Sequence, residues 1–262
     1  MAEPTGRQDE DRQSFTSYLE DMDRWPYPPE GVPLSGPEPR YPGWRGFVLK
    51  VIRGPLLLSV RMSISRVIMA VRRERTLEPR DGVLKLHLGC GDLALPGWTN
   101  VDLAGSKADF IWDLRKPLPI LPGTVTAVFN EHFLEHLPLP AAMSILTQCH
   151  KLMAPGGIIR VGVPDFRLYF EDYVSPAGLI DNARPARPTA LVALNELVYS
   201  YGHLCLWDVD TLTKLFSEIG FVDIHEAKMG DSALDPVPDQ ELRSQYGPTL
   251  YIEAVKPPGE NV

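Results

Sequence analysis

The pattern of apolar and polar residues predicts a series of short strands and amphipathic helices. Alternating or continuous apolar runs favour strands, and they fall at 84–88, 99–103, 108–112, 126–130, 158–163, 221–227 and 249–255. Helical spacing of apolar residues occupies 138–152, 189–199 and 208–219. Asp208 can cap the last of these helices and Gly220 can end it. Strands that alternate with helices are typical of an α/β sheet, here one of seven strands.

The stretch 84–103 reads LKLHLGCGDLALPGWTNVDL and carries the strongest functional signal. It consists of a strand, a glycine turn, a second strand and an acid near the end of that strand. Gly89 and Gly91 let the backbone approach a ligand closely. The carboxylate of Asp102 can accept both hydroxyls of a ribose. The pattern therefore predicts a nucleoside ligand.

A nicotinamide cofactor is disfavoured by the spacing of this stretch. Such sites use three glycines and an acid about 20 residues further on, with a full helix between them. Here Asp102 follows Gly91 by 11 residues, and only 92–98 separate the two strands. That connection contains Pro96-Gly97, so no helix fits in it. One face of the sheet is therefore expected to lack its usual helix.

The same stretch resembles motif I of the class I S-adenosylmethionine (SAM) dependent methyltransferases, in a subgroup that reads GCG and then GWxNVDL after a short first crossover. Two later segments also resemble that family. They are HKLMAPGGIIRVGVPDF, where PGG ends the helix before strand five, and TLYIEAVKP, the last strand. The resemblance covers 83–256 and implies a Rossmann-like, doubly wound, seven-stranded sheet whose last strand runs antiparallel.

The resemblance also implies SAM as the cofactor and assigns residues to it. The glycine turn follows the amino-acid part of SAM, Asp102 binds the ribose, and Asp113 accepts the adenine amino group. Asp113 has an alternative use as a turn-capping residue before Pro117. The residues assigned to the cofactor are Gly89, Cys90, Gly91, Asp102, Leu103, Asp113, Leu114 and Asn130.

A hydroxyl acceptor needs a base, and histidine titrates near neutral pH. In similar methyltransferases a His just past strand four and an Asp just past strand five form an acid–base pair, and His136 and Asp165 occupy those positions. The alternative is a His at a helix start and an Asp in a turn. His132 and His203 are the further candidates. The three remaining histidines are interpreted as structural or solvated: His87, His150 and His225.

The run HFLEH also matches the HxxEH pattern of zinc peptidases, in which two histidines one helical turn apart bind zinc. In this chain the run follows a strand of a methyltransferase-like sheet, which disfavours a peptidase. A divalent metal that assists methyl transfer is a second alternative. We assign no metal ligands from the sequence.

Composition excludes several classes of function. The net charge of −8 disfavours nucleic-acid binding, which needs a basic surface. The three cysteines have no metal-type spacing and indicate reduced thiols in a cytoplasmic protein. The first 20 residues lack the basic and apolar regions of a secretory leader. The most apolar stretch, 47–71, contains charges and Gly54-Pro55, so it does not predict a membrane span.

Three regions are predicted. Residues 1–44 form a proline-rich acidic arm, and 45–80 form a basic segment with nine Lys/Arg and two Glu. Within that segment an amphipathic helix at 56–73 is expected to cover the open sheet face, with peripheral membrane contact as the alternative. Residues 81–262 form the methyltransferase domain, in which 167–207 are a substrate-facing cap. The aromatic residues of the cap face a substrate or form a core of their own.

The sequence therefore predicts a cytoplasmic SAM-dependent methyltransferase, and the favoured reaction is O-methylation of a hydroxyl on a small or glycosylated acceptor. Carboxyl and N-methylation are alternatives within the same class. A methyltransferase-like domain that binds without catalysis is an alternative from another class, and the intact motifs disfavour it. A homo-oligomer is compatible with the sequence.

Overall fold

The computed structural model describes residues 77, 84–103, 107–199, 201–239 and 247–259. The strands are β1 (Leu84–Leu88), β2 (Thr99–Asp102), β3 (Phe110–Ile111), β4 (Val125–Glu131), β5 (Met153–Pro164), β6 (Val222–Ala227) and β7 (Thr249–Val255). The α-helices are α1 (Leu139–Leu152), α2 (Phe166–Val174), α3 (Leu179–Ala183), α4 (Ala190–Tyr199) and α5 (Val209–Ile219). A 3₁₀ turn covers Leu134–His136. The predicted arm at 1–44 and helix at 56–73 lie outside the described residues.

The strands form one seven-stranded sheet in the order β3-β2-β1-β4-β5-β7-β6. Strands β1 to β5 pair in parallel, whereas β7 lies antiparallel between β5 and β6. The predicted fold class, a doubly wound sheet with an antiparallel last strand, is confirmed. Chain order reverses between β1 and β4, which is the place where open α/β sheets bind ligands.

The main core lies between one face of the sheet and helices α1 and α5. Alternate residues of the central strands point into it, as Leu86, Val128 and Val161 show. Gly220 ends α5 in a left-handed conformation, as predicted. Helix α1 ends at Leu152, as predicted, whereas β5 begins at Met153 and contains the run Pro155-Gly156-Gly157, which was expected to separate the helix from a strand at 158–163. The pairing of β4 with β5 shifts register across this run, in which Gly156 has a left-handed backbone.

The first crossover contains no helix, as its length predicted, and its own side chains cover part of the exposed sheet face. Trp98 packs with Ala127 and Phe129 of β4, and Leu234 from the loop before β7 joins them. Asn100 holds the crossover in place. Its side-chain oxygen accepts the backbone N–H of Leu95 at 2.8 Å, and its amide donates to Asp109 at 2.8 Å.

A buried ion network fastens the loop 228–239 over the same face. Arg160 of β5 is fully buried, and its guanidinium donates to both carboxylate oxygens of Asp239 at 2.6 Å. It also lies 3.3 Å from Glu253 of β7 and donates to the carbonyl oxygens of Lys228 and Asp231. Burial lowers the pKa of Arg160, but the two carboxylates outweigh burial and raise it. The loop that this ion network holds therefore covers part of the sheet face that the first crossover leaves without a helix.

Helices α2, α3 and α4 form a cap with a small core of its own. Phe166 and Tyr169 are buried there among aliphatic side chains of α3 and α4. The carboxylate of Asp172 accepts the backbone N–H groups of Ala177, Leu179 and Ile180, which fixes the turn into α3. The helix α4 was predicted, whereas α2 and α3 were not.

Within the described residues, no helix combines the length and apolar character that crossing a bilayer requires.

Replacement of Arg160 tests the buried network. Arg160→Leu leaves the Asp239 and Glu253 carboxylates buried without their cation, so we expect the free energy of unfolding to fall by about 3–5 kcal/mol in urea titrations. The control is Lys214→Met, which removes an exposed pair with Glu218 and costs less than about 1 kcal/mol. Equal losses for the two variants would contradict the role of the network.

Candidate active site at the carboxyl edge of the sheet

The predicted cofactor residues lie where the chain order reverses, at the carboxyl ends of β1, β2 and β4. The glycine turn follows β1, and its amides at Gly89 and Cys90 donate to the carbonyl oxygen of Val101 at 2.9 and 3.3 Å. This contact joins the turn to the end of β2. A cleft at this position exposes backbone groups to a ligand that spans the two halves of the sheet.

The glycines of the turn adopt backbone conformations that other residues avoid. Gly89 has φ 68° and Gly91 has φ 55°. A Cβ at Gly89 would lie 2.4 Å from the ring of Phe133, which follows β4. Gly89 is therefore required both by its backbone and by the aromatic ring that crosses the cleft from the other half of the sheet.

Asp102 at the end of β2 faces the glycine turn. Its Oδ2 accepts the backbone N–H of Gly91 at 2.8 Å, and the residue is half-buried. One carboxylate therefore orders the turn while retaining further acceptor capacity, because a carboxylate has about four lone-pair positions. The short crossover makes this contact possible, since it returns β2 beside the turn after seven residues.

The other predicted cofactor residues occupy different environments. Cys90 is buried, and Leu114 belongs to the main core, so each can offer only backbone to a ligand. Leu103 is half-buried just after β2. Asn130 is buried near the end of β4, and its Oδ1 has no hydrogen-bond partner. A hydrogen-bond donor on a bound ligand would satisfy this buried acceptor.

Asp113 is bound by Arg115, whose guanidinium donates to both carboxylate oxygens at 2.8 and 2.9 Å. The backbone N–H of Arg115 adds a third bond at 3.1 Å. Burial raises the pKa of Asp113, but these bonds outweigh burial and hold it below its usual value. The turn-capping alternative thus has direct contacts, and the adenine contact stays a prediction.

Four residues that follow β4 or end the cap gather beside this cleft, and we refer to them as the Glu135 cluster: His132, Glu135, His136 and His203. His132 Nδ1 lies 3.3 Å from Glu135 Oε1, and His136 Nε2 lies 3.9 Å from the same oxygen. The rings of His136 and His203 meet edge to face, with centroids 5.2 Å apart. The structure therefore brings together the three histidines that were predicted as candidate bases.

Glu135 is the centre of the cluster, with a side chain that is 1% exposed. Neither of its carboxylate oxygens has a hydrogen-bond donor with good geometry, and the 3.3 Å contact to His132 is an ion-pair distance. Burial raises the pKa of this carboxyl, but the contact with His132 and the charge of His136 outweigh burial and lower it. A buried carboxylate in this state implies a cationic partner.

Local backbone structure fixes the cluster. His132 has φ 50°, a left-handed conformation that turns the chain out of β4 into the 3₁₀ turn. Its Nε2 lies 3.1 Å from Thr249 Oγ1, which holds the ring in place. The carbonyl oxygen of Glu135 accepts the N–H of Leu204 at 2.6 Å, so the end of the cap is attached to the cluster.

His203 enters the cluster from the cap, and Tyr201 stacks on its ring with centroids 5.8 Å apart. Phe166 meets the same ring edge to face at 5.9 Å. Burial and the charges of the neighbouring histidines lower its pKa to about 4, against the opposing effect of Glu135. The imidazole of His203 is therefore neutral at neutral pH.

Asp165 caps α2 by accepting the backbone N–H of Arg167 at 3.1 Å. In the described part of the chain, no hydrogen bond or ion pair joins it to His136, whose neighbouring carboxylate is Glu135. The predicted His136–Asp165 pair therefore has no direct contact here and stays a prediction. In the sequence Glu135 stands out only as the acid of the HxxEH pattern. Its position directly before His136 is the feature that could have indicated a carboxylate beside that candidate base.

The HxxEH pattern lacks the helix that a zinc peptidase needs. His132 precedes a three-residue 3₁₀ turn and points to Thr249, so it does not share a helical face with His136.

The three histidines outside the Glu135 cluster contact backbone or neighbouring side chains. His87 Nδ1 lies 2.9 Å from Asn100 Oδ1, His150 Nε2 lies 3.1 Å from the Gly220 carbonyl oxygen, and His225 is exposed on β6.

No family model and no curated protein sequence matches this chain. Similar solved structures include the CurJ carbon methyltransferase, at 15% identity and TM-score 0.40, over 80% of this chain and 57% of that one. A SAM-dependent methyltransferase from Archaeoglobus fulgidus has 16% identity and TM-score 0.41, over 82% and 100% of the two chains.

A third similar structure is the Haemonchus contortus phosphoethanolamine N-methyltransferase 2 with phosphomonomethylethanolamine and S-adenosylhomocysteine, at 13% identity and TM-score 0.41. It covers 81% of this chain and 57% of that one. The chain thus spans a little over half the length of this enzyme and of the CurJ carbon methyltransferase. Likenesses at this level do not decide the activity of the present chain.

Substitution of Gly89 tests the contact with Phe133. Gly89→Ala combines backbone strain with the collision at the Phe133 ring, whereas Gly123→Ala has φ 75° and open space around its Cβ. We expect Gly123→Ala to lose about 1–2 kcal/mol of unfolding free energy, and Gly89→Ala to lose about 1–3 kcal/mol more. Urea titration of both variants measures the difference. Equal losses would show that the Phe133 ring moves aside without a measurable cost in unfolding free energy.

Proposed function

We propose that the protein is a SAM-dependent methyltransferase that methylates a hydroxyl oxygen of a small or glycosylated acceptor. The observation that carries the proposal is that two features lie close together at the carboxyl edge of the sheet. A glycine turn with Asp102 at 2.8 Å from Gly91 lies after β1 and β2, and the Glu135 cluster lies after β4. A nucleoside-binding turn thus adjoins a group of candidate bases.

The residues present fit the cofactor. Asp102 retains acceptor capacity for ribose hydroxyls, and the orphaned Oδ1 of Asn130 can accept from a bound donor. Gly89 and Gly91 add no side chain of their own to the backbone path that the amino-acid part of SAM would follow, and the Phe133 ring borders that path at Gly89. Leu114 contributes backbone to the adenine edge, because its side chain belongs to the core.

When bound, SAM would supply an electrophilic methyl group on its sulfonium, and a hydroxyl acceptor would have to give up its proton to a base. The Glu135 cluster meets that need. An imidazole of the cluster takes the proton, and the buried Glu135 carboxylate stabilises the imidazolium that forms. A carboxylate acceptor would need no such base, so this arrangement favours a hydroxyl over a carboxyl.

The acceptor side of the cleft is aromatic. Tyr201 stacks on His203, and Arg184 lies 4.9 Å from the centre of the Tyr201 ring. Phe170 and Tyr199 of the cap are exposed, whereas Phe166 and Tyr169 form its core. Aromatic faces beside a catalytic group suit a sugar or another ring-bearing acceptor. The three free cysteines agree with a cytoplasmic location for the enzyme.

Direct binding measurements test the cofactor assignment. Calorimetry with SAM, S-adenosylhomocysteine and NAD should give binding of the first two and none of the third. Asp102→Ala removes the ribose acceptor, and loss of charge-assisted hydrogen bonds worth about 1.5–3 kcal/mol should weaken SAM binding at least about tenfold. Asp210→Ala is the control, an exposed carboxylate in the first turn of α5. Binding by Asp102→Ala at parental affinity would show that the assignment is wrong.

A second measurement tests the cluster. Methyl transfer from labelled SAM to a panel of sugars and phenols identifies a usable acceptor, and His136→Ala should then lower kcat by about 10²–10⁴-fold. SAM affinity should hardly change, because His136 does not belong to the glycine turn. His225→Ala should keep the parental rate. Near-parental turnover of His136→Ala would remove His136 from the reaction and direct attention to His132.

A further inference from the structure

We propose that Glu135, His136 and His203 bind a divalent transition-metal ion at the edge of the cofactor cleft. Each of the three offers one ligand atom, and these atoms lie within 4.8 Å of one another. Two come from the segment after β4 and one comes from the end of the cap. The site would therefore connect two parts of the chain that enclose the acceptor.

The spacing needs only a small contraction to hold an ion. Ligand atoms bound at 2.0–2.2 Å in a tetrahedral or octahedral arrangement lie about 3–3.5 Å apart at neighbouring positions. His136 Nε2 is already 3.9 Å from Glu135 Oε1. Small side-chain rotations of His136 and His203 would have to supply the rest of the contraction. The backbone bond from Leu204 to the Glu135 carbonyl oxygen keeps the His203 segment in reach.

Orphaned polar atoms supply the second observation. Both oxygens of the Glu135 carboxylate are buried without a hydrogen-bond partner, and so are the Nδ1 atoms of His136 and His203. A buried carboxylate is stable when it is paired with a cation or coordinates a metal. His132 lies 3.3 Å from Oε1, at ion-pair distance, and neither carboxylate oxygen has a hydrogen bond. An ion at this place would pair the buried carboxylate with a cation and bind each imidazole through one ring nitrogen.

The ligand types select the metal. Two imidazole nitrogens and one carboxylate oxygen favour Zn²⁺, Co²⁺ or another first-row transition metal, whereas Mg²⁺ prefers oxygen ligands and water. Three protein ligands leave at least one position open. If the proposed function holds, that position suits the acceptor oxygen, and His132 is then the imidazole left to receive the hydroxyl proton. The metal site itself does not depend on methyl transfer.

The test uses the full, untagged chain after treatment with a chelator. Equilibrium dialysis against Zn²⁺, with metal analysis of the protein, should give about one bound ion, and Co²⁺ should develop visible absorption bands. Glu135→Gln and His203→Ala should weaken Zn²⁺ binding at least about tenfold. His225→Ala, which removes an exposed histidine outside the cluster, should bind Zn²⁺ as the parent does.

Two results would overturn the metal site. One is a parent protein that binds no Zn²⁺ and gives no Co²⁺ bands. The other is parental Zn²⁺ affinity in His203→Ala, whose fold is checked by thermal melting. SAM calorimetry on the same samples separates the two proposals. A protein that binds SAM but not Zn²⁺ would contradict the metal site alone. A protein that binds Zn²⁺ but not SAM would contradict the methyltransferase proposal alone.

Discussion

The brevity of the first crossover is the constraint on which the rest of the structure depends. Ten residues, of which the first three form the glycine turn, join β1 to β2, so this connection holds no helix that could cover a face of the sheet. The crossover covers it in part with Trp98, and Asn100 secures the crossover by hydrogen bonds. The loop 228–239 covers the neighbouring area because Arg160 binds it from β5. The same brevity brings Asp102 beside Gly91.

Buried charge has two different roles in this protein. Around Arg160 the positive and negative groups have several hydrogen bonds each, so the network is complete and holds a loop in place. Around Glu135 the carboxylate has two imidazoles, at 3.3 and 3.9 Å, and no hydrogen-bond donor with good geometry. A fully bonded cluster stabilises a fold, whereas an incompletely bonded one in a cleft marks a site for a ligand or a reaction.

The cap is joined to the Glu135 cluster. Its helices have their own small core, and they extend to the cluster through Tyr201 and His203. The backbone bond between Leu204 and the Glu135 carbonyl oxygen couples the cap to the segment after β4. Changes in the cap sequence can therefore alter the surroundings of His203 while the glycine turn and Asp102 remain in place.

By itself the sequence determined the sheet, the glycine turn, Asp102 and the absence of a first helix, because these depend on short-range periodicity, glycine placement and chain length. It also indicated three candidate histidines. Only the tertiary structure decided that His203 joins Glu135, His132 and His136, since it comes from a distant part of the chain. The helix cap at Asp165 is a local contact with Arg167, and the sequence had offered a turn Asp as the alternative. The start of β5 at Met153, five residues before the predicted start at 158, was also decided by tertiary structure, because Met153 pairs with Val125 of β4. Long-range pairing extended the strand there.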